Sequence, residues 1–276
     1  ARNKRERKYR HQTLPYGFLA LLSQRHPFAE YARTQFNKNE FVLRFPLHEG
    51  IWYALETQKQ LGKFPKQGIP IINFDSHDDR FSNQLGSDGV DDANWGYAVV
   101  RDGLAPFVLQ IALLPHPSFT LIESRDESHS LPPKWRSESL PSDELAPILQ
   151  RLIKTYLTDT SFYWVTFDLD FVSLKKSLDV HSPTGWHLDP TAVREVIDKI
   201  VFPFLQMFDC NPSQLIIADS LDYLAPPARQ DASYRSQIIQ YLTEMTYQFC
   251  HRSKLQTRTL PLRFHQWHAF ISSFLD

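Results

Sequence analysis

Short apolar runs alternate along this chain with stretches whose apolar positions recur at helical spacing. Glu40 to Phe45 reads as a strand and Glu49 to Leu61 as an amphipathic helix. Ile69 to Phe74 is a second strand, followed by a polar loop containing Gly86 and Gly89, and Trp95 to Leu104 looks helical. Phe107 to Leu114 and Phe119 to Glu123 predict further strands, whereas the Ser- and Pro-rich segment Ser124 to Pro141 predicts a long surface excursion. Ser142-Asp143-Glu144 should cap a helix that continues to Tyr156. A strand from Phe162 to Phe167 and a loop from Asp168 to Leu188 come next. Asp189-Pro190 opens a helix reaching about Met207, with Asp as N-cap and Pro in the first turn. Gln214 to Ala218 is a buried strand, and helices from Gln230 to Cys250 and from Phe264 to Leu275 close the chain.

Strands joined by helical crossovers predict an α/β fold, a mostly parallel sheet flanked by helices on both faces. The 276 residues show no internal repeat and no linker, so they read as one domain over 13–276 behind a basic arm at 1–12. Such a chain is long enough to bury a substantial core without staples. In open sheets of this kind ligands sit at the carboxyl ends of the strands.

Two acidic clusters fall at such ends. Asp75-Ser76-His77-Asp78-Asp79 follows Ile69 to Phe74, and Asp168-Leu169-Asp170 follows Phe162 to Phe167. Side chains at i, i+2 and i+4 of an extended segment share a face. Asp75, His77 and Asp79 can therefore converge, with Asp168 and Asp170 meeting them from a neighbouring strand. Burying five such groups without compensation is prohibitively costly, and metal cations are the usual compensation. The plainer reading, strand-end aspartates acting as caps and turn residues, explains each residue singly but not the two-residue spacing beside buried strands.

Composition narrows the field. A net charge of -1 argues against a general nucleic-acid or membrane surface. No apolar run approaches the roughly 18–20 residues that span a bilayer, and no signal-peptide pattern opens the chain. Cys210 and Cys250, the two cysteines, lie far apart without a CxxC and fit reduced thiols of a cytoplasmic protein. The first ten residues hold Arg2, Lys4, Arg5, Arg7, Lys8 and Arg10. They read either as an arm that grips an acidic partner or as a solvated, frayed terminus.

The first cluster resembles the DxHxD signature of the arginase/agmatinase (ureohydrolase) superfamily, and Asp168-Leu169-Asp170 resembles its second signature, a DxD after a later strand. His48, in a strand-to-helix turn at Pro46-Leu47-His48, is similar to the family's first metal-binding histidine. Ser182-Pro183-Thr184-Gly185 resembles the family's T-P-A-T-G turn, and Asp219-Ser220-Leu221-Asp222 follows the last core strand where arginases hold the guanidinium with an acid. The resemblance spans roughly residues 40 to 226 and implies a three-layer arginase-like fold with two Mn²⁺ ions. It implies that His48, Asp75, Asp79 and Asp168 bind one ion and Asp75, His77, Asp168 and Asp170 the other. Asp75 and Asp168 would bridge, Asp79 would orient the nucleophilic water, and Asp222 would pair with the guanidinium in bidentate fashion. A hard, oxygen-rich donor set independently suits Mn²⁺ better than Zn²⁺.

Departures from the arginase pattern bear on the substrate. Free-arginine enzymes have an asparagine where this chain has Phe81, and a histidine before glycine where it has Trp95-Gly96. The usual DxD-xx-DP continuation is replaced by Phe171-Val172-Ser173. Together with Asn94-Trp95 and His48-Glu49, these features resemble a divergent branch that contains peptide arginases, which convert arginine side chains of ribosomal precursor peptides to ornithine. The expected partner is then an arginine-containing precursor peptide, with Asp222, Thr184, Trp95 and Trp186 as substrate-binding residues. Phe81, Trp95 and Trp186 read equally well as groove walls or as core packing.

Lesser candidates are the acidic loop Asp88, Asp91 and Asp92, which reads as an attractor for cationic side chains or as solvated surface. His181 and His187 are candidates for the missing proton shuttle or ordinary surface histidines. His265 and His268, at i and i+3 on an aromatic helix, read as half-buried packing before metal binding. Competing functions are a small-molecule ureohydrolase acting on agmatine or another guanidino compound, a one-zinc amide hydrolase of the same fold, and a binding protein that retains metal without catalysis. His48, Asp79 and Asp170 complete a second metal site and argue against the one-zinc enzyme.

Overall fold

The computed structural model describes residues 26–75, 90, 94–112, 117–125, 132–157, 163–168, 171, 194–208, 212–218, 236–237, 239–244, 246 and 260–275. The chain runs through α1 (Pro27–Asn37), β1 (Val42–Phe45), α2 (Glu49–Gln60), β2 (Ile71–Phe74) and α3 (Trp95–Arg101). It continues with β3 (Phe107–Ala112), β4 (Ser118–Glu123), β5 (Lys134–Ser139), α4 (Leu145–Tyr156) and β6 (Tyr163–Asp168). A π-helical segment, Ile197–Val201, runs directly into α5 (Phe202–Leu205), and β7 (Pro212–Ala218) and α6 (Leu260–Leu275) follow. The strands form one seven-stranded sheet in the order β1-β7-β6-β2-β3-β4-β5. Pairing is parallel from β1 through β3 and antiparallel for β3–β4 and β4–β5.

The two-residue period of a strand sorts the core into two layers. Ile72, Phe74, Leu109, Ile111, Val165 and Phe167 pack on α4, the π-helical segment, α5 and α6. Ile71, Val108, Trp164 and Ile216 face the other way, onto α1, α2 and α3. The strands at the centre are buried on both faces, which is why they read as near-continuous apolar runs. The expected three-layer arrangement with a mostly parallel sheet is the one observed.

Local boundaries shift from the sequence reading in two places that matter. Ser124 to Pro141 is not wholly an excursion: Lys134–Ser139 pairs antiparallel with β4. Its Lys-Trp-Arg-Ser-Glu-Ser sequence lacks an apolar run because β5 is the last strand in order, and charged side chains are typical of such edges. The second acidic residue, Asp168, belongs to β6 itself rather than to the loop beyond it. Ser142 does help to start α4, its Oγ accepting from the Glu144 amide at 3.2 Å. An additional helix, α1, carries His26 as N-cap, with the ring Nδ1 accepting from the Phe28 amide.

The topology singles out one place on the sheet edge. The chain leaves β2 for β3 through α3 on one face, and leaves β6 for β7 through the π-helical segment and α5 on the other. Since β2 and β6 are adjacent and parallel, their carboxyl ends form the switch point where such sheets open a crevice. Among the described residues, no helix is long and apolar enough to cross a membrane.

Candidate metal centre

Three residues meet at that switch point. Asp75 directly follows β2, and its amide donates to the Ile111 carbonyl at 3.1 Å, which carries the β2–β3 ladder one residue further. Asp168 ends β6 and lies one register position beyond the Phe74–Phe167 pair, so Asp75 and Asp168 stand side by side on the same face. His48 arrives from the turn after β1. Phe45, Ala218 and Asp168 form one register row across β1, β7 and β6, and the chain turns from Phe45 into α2 with His48 at its start.

The resulting cluster is tight and dry. His48 Nε2 lies 2.8 Å from Asp168 Oδ2 and 3.6 Å from Asp75 Oδ2. The three residues are 4%, 0% and 1% exposed in the order His48, Asp75, Asp168. Each offers one ligand atom, and all three atoms fall within 4.8 Å of one another. Metal–ligand bonds of about 2.1 Å put neighbouring ligands at right angles about 3 Å apart, so this spacing suits one shared cation. Charge points the same way. A histidine binds metal in its neutral form, which leaves the triad at -2, the charge one divalent ion cancels. Two carboxylates and an imidazole form a mixed O/N set that accepts Mn²⁺ and other borderline-hard divalent ions.

Beneath the cluster lies a pair of residues that sequence reasoning missed. Asn73 and Thr166 are in register on β2 and β6, two positions before Asp75 and Asp168, and both are wholly buried. Thr166 Oγ1 donates to Asn73 Oδ1 at 2.6 Å, and Asn73 Nδ2 reaches Asp75 Oδ2 at 3.4 Å. A polar residue inside an apolar strand, two before the acid, is the signal that marks them.

Trp95 occupies the first position of α3 and has no exposed surface; its ring centre is 5.9 Å from that of His48. Of the two readings offered for this residue, the structure places it in the packing one, where it backs the imidazole. On α6, His265 is exposed, and His268 packs half-buried against Phe264 with Nε2 3.9 Å from the exposed Asp143. His77, Asp79, Asp170, Thr184, Trp186 and Asp222 lie outside the described residues, as do Phe81, Asp88, Asp91, Asp92, His181 and His187. So do the basic arm at 1–12 and both cysteines.

No protein-family model matches the chain, and no curated protein matches it. Among solved structures, it is similar to a hypothetical agmatinase from Burkholderia thailandensis, with TM-score 0.47 and 15% identity, covering 87% of this chain and 68% of that one. It is also similar to formimidoylglutamase from Bacillus subtilis subsp. subtilis str. 168, with TM-score 0.48 and 11% identity, covering 81% of this chain and 67% of that one. Likenesses this distant leave the chemistry resting on the site's own geometry: a buried histidine and two buried aspartates gathered at the switch point of a mostly parallel sheet.

Proposed function

We propose that this chain is a binuclear, metal-dependent amidinohydrolase that converts arginine side chains of a precursor peptide to ornithine and urea. The observation that carries the reading is the buried cluster of His48, Asp75 and Asp168. Its members are three of the six residues that the family resemblance marks as ligands, from three separate segments of the chain. By that resemblance, His48, Asp75, Asp79 and Asp168 would hold one Mn²⁺ ion and Asp75, His77, Asp168 and Asp170 the second. When bound, the pair supplies Lewis acidity and brings the pKa of water toward neutrality.

The chain's own residues do the rest. Asp79 accepts a hydrogen bond from the attacking water and aims it at the guanidinium carbon. Asp222 pairs with the guanidinium edge, a planar fork that a carboxylate matches with two hydrogen bonds. By the resemblance Thr184 and Trp186 would contact the substrate, and Trp95 packs beside the His48 imidazole. Urea departs and the amine of ornithine remains. A peptide substrate is favoured over free arginine because Phe81 stands where free-arginine enzymes read the amino acid's own charged end with an asparagine.

The test is urea release by the Mn²⁺-loaded chain from free arginine, agmatine and an arginine-containing peptide. The expected result is urea from the peptide with a mass loss of about 42 Da, the signature of guanidine hydrolysis. Urea from a small molecule alone moves the assignment to a small-molecule ureohydrolase. Silence from all three with metal bound contradicts hydrolysis and leaves a metal-retaining binding protein.

A further inference from the structure

On the sheet face beneath α2 and α3, one register is polar across five strands. Thr166 on β6, Asn73 on β2, Gln110 on β3, Thr120 on β4 and Ser137 on β5 are paired in sequence across five neighbouring strands. In-register neighbours share a face, and the row before this one on that face is Trp164, Ile71, Val108 and Ile122. The first four polar residues are at most 2% exposed. Burying an amide or hydroxyl is costly unless it finds a hydrogen-bond partner, so such a row persists for its hydrogen bonds. At the far end Thr120 Oγ1 donates to Ser137 Oγ at 3.0 Å. At the near end the chain of bonds runs from Thr166 through Asn73 to Asp75.

The direction of donation at the near end is forced. An ionised Asp75 only accepts hydrogen bonds, so the amide nitrogen of Asn73 must face it. The amide oxygen of Asn73 then faces Thr166, whose hydroxyl must donate. Thr166 thus fixes which way the amide points, and the amide engages one carboxylate oxygen of a residue that has no bulk water to orient it.

We propose that Asn73 and Thr166 are positioning residues for the metal centre. The Thr166 hydroxyl locks the Asn73 amide, and the amide fixes the Asp75 carboxylate so that its remaining lone pairs face the cation shared with His48 and Asp168. The inference rests on the reading of that triad as a metal site. Partners of metal ligands commonly act this way, by holding the ligand rather than touching the ion.

Equilibrium Mn²⁺ binding, measured by competition with a chelating dye and by the Mn²⁺ electron paramagnetic resonance spectrum, tests it without recourse to activity. Thr166→Val keeps the side-chain shape and removes the donor. Its Mn²⁺ dissociation constant should rise roughly tenfold to a hundredfold with a broadened spectrum, while Thr166→Ser, which keeps the hydroxyl, should restore affinity close to wild type. Thr120→Val deletes a buried hydroxyl from the same row, remote from the centre, and should lower thermal stability without changing Mn²⁺ affinity. Should Thr166→Val not fold, Thr166→Ala gives the same comparison. Wild-type affinity and spectrum in Thr166→Val, with metal still bound, would overturn the positioning role and leave the metal site standing. Failure of the wild-type chain to bind any divalent ion would overturn both.

Discussion

Replacing Gly50 by alanine sets two opposed effects against each other, and their sizes predict the sign. Gly50 is the second residue of α2, and alanine in a helix is normally favoured over glycine by about 1 kcal/mol. Here an added Cβ would fall onto the Phe45 ring at Cγ and lie 2.5 and 2.6 Å from its Cδ1 and Cβ. Carbon–carbon contacts are comfortable at roughly 3.5–4.0 Å, so the overlap is about 1 Å or more. Phe45 has no easy escape. It is 1% exposed, and the rings of Phe28 and Tyr31 meet it edge-on with centroids 5.6 and 5.3 Å away. Turning the side chain does not move its Cβ, so relief requires α2 to back away from β1. Overpacking of this kind costs about 1–3 kcal/mol, and a clash on a Cβ belongs at the upper end; the helix gain offsets about 1, leaving a net loss of about 2 kcal/mol. For a chain of this size that is a fall in Tm of about 4–8 °C. Thermal unfolding followed by far-UV circular dichroism on metal-free protein reads it directly. Because His48 stands at the start of the same helix, Mn²⁺ affinity should fall as well. A Tm equal to or above wild type would mean that helix propensity wins and that α2 does not press on β1 as described.

Three further outcomes follow from particular contacts. His26 stacks on Tyr53 with ring centres 4.0 Å apart. Burial lowers the His26 pKa, and burial with the nearby Glu49 carboxylate pushes the Tyr53 hydroxyl up to about 12. The fold therefore prefers both groups neutral. The His26 contribution is present above its unfolded pKa of about 6.5 and fades as pH falls below it; the Tyr53 contribution is present below about 10 and fades as pH rises from there toward 12. Tyrosinate absorbance in wild type and Tyr53→Phe should show one phenol missing from the highest-pH phase in the variant, and loss of that phenol near pH 10 instead would refute its burial. Glu123 is buried at the end of β4, held by two hydrogen bonds from Arg151 and by Lys134 Nζ at 3.3 Å. Arg151→Met should cost about 1–3 kcal/mol in chemical denaturation and Lys134→Met less than about 1, because Lys134 is mostly solvated; the reverse order would refute the assignment.

The strands that build the centre were legible because their burial on both faces leaves near-continuous apolar runs, broken by Asn73 in Ile71–Phe74 and by Thr166 in Tyr163–Asp168. The acids at their ends were legible because a charge set directly after such a run is costly to bury unless a cation meets it. Less visible was β5, whose alternating charges suit a sheet edge and look like a loop in sequence. The helix α1 also escaped the sequence reading, since it buries mainly Ala29, Ala32 and Phe36, an apolar stripe too slight to stand out. Asn73 and Thr166 were passed over as ordinary strand residues; only their register against each other shows them to be partners. Trp95 illustrates the opposite limit. Its aromatic character is plain in sequence, but whether an aromatic walls a groove or fills a core depends on the layer above it, and here α3 takes it inward beside His48.

Mn²⁺ stoichiometry tests most directly whether the buried histidine and aspartates hold catalytic metal. The wild-type chain, stripped with chelator and titrated with Mn²⁺, should bind two ions. Asp168→Ala should bind neither with comparable affinity while its far-UV circular dichroism stays close to wild type, because Asp168 would be shared between both ions. Unchanged metal binding in Asp168→Ala, or none in the wild-type chain, would contradict the account.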